Sequence, residues 1–159
     1  MGKIRTPKPF DAFTLFRWRN QERIRKSSAG ALPTWEEHLA WFNRLKPGEA
    51  WIYDPYPHNP VGFVQFKASG YWSIYVGEAS APPGTGTEMA IEALSWVFDH
   101  GGLEQVKAQV LPDNQASIKF HGKLGFKQMT SQMTSHLEFI LTKDTWTSVS
   151  LPALNAKSS

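Results

Sequence analysis

Two glycines one residue apart, Gly84 and Gly86, mark the segment of this chain best suited to hold an anion. They follow a β-like run, Tyr71 to Val76, and precede a helical pattern carried by Met89, Leu94, Val97 and Phe98. Backbone without side chains lets an anion approach closely. The first amides of a helix have no acceptor inside it, and the helix dipole there favours negative charge. Gly84-Thr85-Gly86-Thr87 therefore reads either as a cradle for a diphosphate or as a helix entry whose glycines serve turn geometry alone. Histidine adds groups that exchange a proton near neutral pH, and His121 and His38 are the candidates. His38 can hydrogen-bond a hydroxyl or phosphate or take a proton from an amine; beside Glu36 and Glu37 it equally fits a helix surface. Glu78, at a strand end, can act as a base through water or simply stand solvated. Arg19 carries the fork that pairs with a diphosphate, and fits a solvated basic helix face as well. Tyr71, Trp41 and Tyr75 offer flat apolar surface for a ligand or for the core. Asn114 can reach a ligand or cap the helix after it. The histidines at 38, 58, 100, 121 and 136 show no paired-ligand spacing, so no metal site is expected.

These residues need elements to position them. A helix is expected over Phe10–Lys26, with Phe13, Phe16 and Ile24 on its apolar side and arginines between them; Ser27 to Gly30 breaks it. A second helix opens at Thr34, which forms a capping-box pattern with Glu37, and continues through Leu39, Trp41, Phe42 and Leu45. Strands are expected at Ala50–Tyr53, Val61–Lys67 and Tyr71–Val76, forming an antiparallel meander. The glycine-entered helix follows to His100, then a buried strand from Gln105 to Leu111. A helix over Ala116–Leu124 ends at Gly125, and strands over Phe126–Thr130 and Ser135–Leu141 close the fold. The tail from Asp144 is expected to be loosely ordered.

At 159 residues and 17.9 kDa the chain fits a single domain spanning 1–159, large enough to bury a core without staples. With no cysteine, thiol catalysis, disulfides and cysteine-based metal sites are excluded. No apolar run is long enough to cross a bilayer and the start lacks a signal core, so a cytoplasmic protein is expected. The net charge of +3 admits anionic partners. Its clearest concentration, Arg17, Arg19, Arg23, Arg25 and Lys26, reads as a pocket for a phosphorylated small molecule, a nucleic-acid patch or a solvated helix face; no nucleic-acid motif accompanies it.

Two motifs then carry a family resemblance. Ala81-Pro82-Pro83-Gly84-Thr85-Gly86 is similar to the Gln/Arg-x-x-Gly-x-Gly/Ala pyrophosphate loop of the GNAT acyl-CoA-dependent N-acyltransferases, with Ala81 where the family has Gln or Arg. Asn114 to Phe126 resembles that family's Asn-x-x-Ala-x-x-x-Tyr-x-x-x-Gly-Phe: Asn114, Gly125 and Phe126 fall in register, Ser117 replaces Ala, and His121 stands at the Tyr position. The resemblance spans residues 17 to about 141. It implies an α/β (α+β) GNAT fold, a mixed central sheet of about six to seven strands flanked by about four helices. It implies acetyl-CoA as co-substrate, held by Tyr75, Val76, Gly84, Thr85, Gly86, Thr87, Asn114, Ser117 and Phe120. Phe16 to Asn20, Glu22, Arg25, Trp35 to His38 and Trp41 to Leu45 further resemble the branch that acetylates amines on nucleotide-linked sugars, the pseudaminic-acid pathway enzymes acting on a UDP-linked 4-amino-4,6-dideoxy sugar. Arg19-Asn20, His38 nineteen residues after Arg19, and Gly70-Tyr71 with Tyr75 hold that branch's spacing.

On this resemblance a neutral primary amine attacks the thioester carbonyl in a ternary complex. An N–H of the strand Trp72–Val76 receives the developing charge, and His121 protonates the departing thiolate. His121, Glu78 and His38 are the catalytic candidates; Arg19, Asn20, His38, Trp41, Lys67, Tyr71 and Tyr75 are the acceptor-binding ones. The expected partner is an amino-sugar nucleotide, with no membrane or nucleic acid, and a homodimer is admitted. The alternatives are a ribosomal-protein type N-terminal acetyltransferase, a CoA-binding protein without catalysis, and a nucleic-acid-binding module.

Overall fold

The computed structural model describes residues 3–26, 31–130 and 135–148. The chain runs β1 (Ile4–Arg5), α1 (Asp11–Arg19), α2 (Glu22–Arg25), α3 (Trp35–Asn43), β2 (Ala50–Tyr53), β3 (Gly62–Phe66), β4 (Trp72–Val76), α4 (Thr85–Asp99), β5 (Gln105–Val110), α5 (Gln115–Leu124), β6 (Lys127–Met129), β7 (Leu137–Thr142) and α6 (Lys143–Ser148). The expected capping box forms: the Glu37 amide donates to Thr34 Oγ1 and the Thr34 amide donates to the Glu37 carboxylate.

Three expectations change. The single helix over Phe10–Lys26 is two helices, because Gln21 is extended, with ψ at 137°. The buried side of α1 is Ala12, Leu15 and Trp18, a spacing that leaves Phe13 57% exposed. The tail is ordered through Ser148: Trp146 of α6 is buried, its ring 6.4 Å from that of Phe98. The expected break at 27–30 and the tail from 149 lie outside the described residues.

The seven strands form two antiparallel sheets, β1-β2-β3-β4 and β5-β7-β6. The mixed character expected of the sheet resides in one parallel bridge, Tyr71 to Lys107, where the Lys107 amide donates to the Gly70 carbonyl at 2.9 Å. Beyond that bridge β4 and β5 do not pair. The register assigns the atoms along this split. Lys67 donates to the Tyr71 carbonyl, Gly77 donates to the Val61 carbonyl, and Phe63 stands opposite Tyr75. Antiparallel pairing alternates, so Tyr71, Ser73 and Tyr75 turn their backbone groups toward β3, and Ile74 and Val76 turn theirs to the unpaired side. The amides of Gly77 and Glu78, at 2.7 and 3.3 Å, both aim at the one carbonyl of Val61. This β-bulge ends the ladder and bends the chain away.

Two apolar clusters hold the frame. Met89, Ala90, Ala93, Leu94, Val97 and Phe98 of α4 join Val64, Phe66 and Trp72 in the larger one. Leu15, Trp18 and Ile24 of the N-terminal helices cover Ala50, Ile52 and Phe63 in the smaller. Gly77 lies against the smaller cluster: a Cβ there would lie 2.0 Å from the Trp18 ring, so one of the two would have to shift.

Candidate active site

Alternation along the meander builds the floor of a cavity of about 460 Å³. Phe63, Gln65 and Lys67 stand on one face, against Tyr75, Ser73 and Tyr71 of the neighbouring strand. Arg19 of α1 and His38 and Trp41 of α3 cover it, and Gln109 and Leu111 wall the β5 side. The Arg19 guanidinium lies 5.5 Å from the centre of the Trp41 ring. Among the described residues neither Arg19 nor Lys67 has a carboxylate partner. The one carboxylate in the lining, Glu37, is engaged by the capping box. Glu138 stands behind the lining and fixes two of its members. It accepts from the Tyr71 hydroxyl at 2.5 Å and from the Gln109 amide at 3.0 Å, and the Tyr71 contact raises that phenol's pKa.

Two polar atoms of lining residues are buried without a partner among the described residues, His38 Nδ1 and the Tyr75 hydroxyl. His38 is fully buried among Phe16, Trp35 and Trp41, and its Nε2 contacts the Ala12 carbonyl at 2.8 Å. Burial lowers its pKa; the Ala12 contact opposes this and Arg19 adds to it. Burial raises the Tyr75 pKa, against a lowering by Arg19.

The next residue along β4, Val76, belongs to the glycine bend. Gly84 takes φ of 88°, a left-handed value that suits glycine, and starts α4 without a side-chain cap. The Thr85 amide donates to the Pro82 carbonyl, while those of Gly86 and Thr87 find no acceptor within the described residues. A Cβ on Gly86 would touch Phe120 and Val76, both at 3.6 Å. The bend is thus a partly open surface of free amides backed by β4 and α5.

A family model described as the acetyltransferase (GNAT) domain matches residues 3–127. The chain belongs to the GNAT acetyltransferase family. Among curated proteins no sequence matches it. Solved structures share the fold. A domain from Methanocaldococcus jannaschii DSM 2661 is 23% identical with a TM-score of 0.73, covering 87% of this chain and 96% of that one. The aminoglycoside acetyltransferase AAC(6')-Ib, solved with coenzyme A and kanamycin, is 16% identical with a TM-score of 0.74, covering 91% and 96%. Spermidine N-acetyltransferase from Vibrio cholerae, solved with CoA and spermine, is 12% identical with a TM-score of 0.74, covering 91% and 96%.

In this GNAT acetyltransferase the structure brings Arg19, His38, Trp41, Lys67, Tyr71 and Tyr75 to one cavity, and Val76, Gly84, Thr85, Gly86, Thr87 and Phe120 to the neighbouring bend. Asn20 is not in the cavity lining; its amide donates to the Phe16 carbonyl at 2.7 Å and closes α1. Asn114 caps α5 by accepting from the Ser117 amide.

Two proton-transfer expectations meet a different environment. His121 is a buried ring: its Nε2 accepts from the Trp72 indole N–H at 3.1 Å and its Nδ1 lies 2.8 Å from the Ser117 carbonyl. An indole only donates and a carbonyl only accepts, so the neutral tautomer carries its proton on Nδ1, directed at Ser117. Burial also lowers the His121 pKa. In this arrangement both ring nitrogens are engaged within the protein. Glu78 accepts from the Trp18 indole at 2.6 Å and from Arg17 at 2.9 Å. The Trp18 bond, with help from Arg17 and against burial, lowers its pKa, which makes a poor base.

The basic N-terminal helices are likewise engaged: Arg17 pairs with Glu78, and Arg23 clamps the Val76 and Gly77 carbonyls at 2.8 and 2.7 Å. Gln65, Ser73 and Gln109 are lining residues that the sequence reading missed. Alternation from Lys67 and from Tyr71 and Tyr75 points to Gln65 and Ser73, since all share one face.

Proposed function

We propose that this enzyme transfers the acetyl group of acetyl-CoA to a primary amine on an anionic, nucleotide-linked amino sugar. The observation that carries this reading is the charge of the cavity. Among the described residues Arg19 and Lys67 face it without carboxylate partners, and they outnumber its single lining carboxylate, Glu37. A polycation in this space meets like charge; a diphosphate meets a guanidinium fork and an ammonium.

The donor's diphosphate lies against the Gly86 and Thr87 amides at the start of α4. Its arm runs in the split between β4 and β5, where the amides of Ile74 and Val76 supply hydrogen bonds, one of them to the thioester oxygen as charge builds there. The amine attacks from the cavity side as the neutral base, loses its proton to solvent, and the thiolate leaves. Thiolates are weak bases near pH 8, so departure needs no buried acid. His121 holds Trp72 and α5 in place, and Glu78 holds α1 against the bulge.

The test is thiol release from acetyl-CoA with UDP-linked 4-amino sugars, spermidine, kanamycin and peptides bearing free N-termini. The amino-sugar nucleotide is expected to give the highest kcat/KM. Arg19→Ala is expected to raise its KM by roughly 10- to 100-fold with kcat little changed. Faster turnover of spermidine or kanamycin overturns the anionic-acceptor reading, and faster turnover of peptides replaces it with the N-terminal one.

A further inference from the structure

Two residues of the cavity lining carry buried atoms that are unpaired among the described residues, and the surroundings fix the hydrogen-bonding role of one of them. The Ala12 carbonyl can only accept, so His38 Nε2 carries the hydrogen and Nδ1 presents a bare lone pair. The ring's neighbours are Phe16, Trp35 and Trp41, and these rings leave that lone pair unpaired. On the floor the Tyr75 ring packs against those of Trp18 and Phe63, and its hydroxyl is also buried and without a partner among the described residues. A buried polar atom left unmatched carries its full desolvation penalty; Trp51 Nε1 is unmatched too, but only His38 and Tyr75 belong to the cavity lining, where a ligand can relieve that penalty.

Chemistry then restricts the ligand. His38 Nδ1 needs a hydrogen donor, which excludes a fully ionised phosphate or carboxylate at that point. Protonation of the imidazole instead is disfavoured by burial and by Arg19. An ammonium ion can donate, but the described lining offers it one carboxylate, Glu37, against the cations Arg19 and Lys67, and Arg19 repels it. The phenol of Tyr75 stays protonated and can give its hydrogen or accept one. An uncharged hydroxyl satisfies either atom.

Resting on the acceptor reading above, we infer that His38 Nδ1 and Tyr75 Oη form a subsite for the uncharged hydroxyls of a sugar ring whose anionic substituent lies toward Arg19 and Lys67. His38 is then a binding residue that accepts a hydrogen bond, not the base that deprotonates the amine. The cavity selects its ligand by two opposite demands, a hydrogen donor deep under α3 and an anion near the two cations.

The experiment measures binding, so it is independent of turnover. Protein saturated with CoA and labelled with 15N-histidine is titrated with UDP-glucose, glucose 6-phosphate and UDP, for wild type and Tyr75→Phe. UDP-glucose is expected to shift the unprotonated Nδ1 resonance of His38, and UDP to leave it in place. Tyr75→Phe is expected to weaken UDP-glucose by roughly tenfold and UDP by less than about twofold. If glucose 6-phosphate moves the resonance and UDP-glucose does not, the hydroxyl subsite stands and the nucleotide-linked acceptor falls. If neither sugar moves it, or Tyr75→Phe leaves both sugars' affinities unchanged, the subsite is overturned. A resonance showing His38 doubly protonated at neutral pH overturns it as well. In turnover, loss confined to KM in Tyr75→Phe agrees with a binding role; a shifted acid limb of kcat in that variant overturns it.

Discussion

A single imidazole shows how much burial decides. At position 121 the sequence offers a titratable side chain in register with a family tyrosine; the fold closes Trp72, Phe126 and Phe139 around it. Because burial lowers its folded pKa, the unfolded chain takes up the proton first as the solution is acidified. The stability this ring contributes is therefore complete above its ordinary value of 6.5 and is lost as pH falls from there toward the depressed folded value. His121→Tyr removes that titration. Its thermal midpoint is expected to fall less steeply than that of wild type between about pH 7 and about pH 5, with His38 supplying the slope that remains. Equal slopes in the two proteins remove His121 from the acid response. Glu78 allows a sharper test. Glu78→Gln weakens its bonds to Trp18 and Arg17 and is expected to cost about 1–2 kcal/mol in urea unfolding, with kcat within about threefold of wild type. A loss of about a hundredfold or more in kcat returns Glu78 to the chemistry.

Among the elements, the bulge at the end of β4 decides most. It depends on a residue without a side chain, since any Cβ at Gly77 enters the Trp18 ring. Gly77→Ala is expected to destabilise by about 3 kcal/mol in urea unfolding and, by pushing α1 outward, to raise the acceptor KM through Arg19. Unchanged stability means that Trp18 is free to move aside. The elements themselves were legible wherever local signals were strong. The capping box placed α3, the positive-φ glycines at 84 and 125 placed a helix start and a helix stop, and alternation placed β3 and β4 within a residue or two. The break at Gln21 was not legible, because no glycine or proline announces it and tertiary contacts make it: Gln21 donates to the Gly77 carbonyl 56 residues away. The inward face of α1 was misread because larger Phe13 and Phe16 outweighed smaller Ala12 in the pattern. For the site, residue types were legible and solvent access was not. Six of the seven expected acceptor-binding residues line one cavity, while Asn20 closes a helix.

At the scale of the molecule, two sheets meet at one bridge and diverge. The strand bordering that divergence is laddered on one side, and on the other its Ile74 and Val76 amides face no strand among the described residues, so they depend on something outside the chain for a partner. This alternation should be visible in time as well as in space. In hydrogen–deuterium exchange of the free protein, Ile74 and Val76 are expected to exchange far faster than Ser73 and Tyr75, a sawtooth over residues 73 to 76. Addition of acetyl-CoA is expected to flatten the sawtooth by slowing the fast pair alone; uniform slow exchange before addition would mean that the gap is already closed. A protein that leaves half a strand unzipped carries an internal clock for the arrival of its own donor.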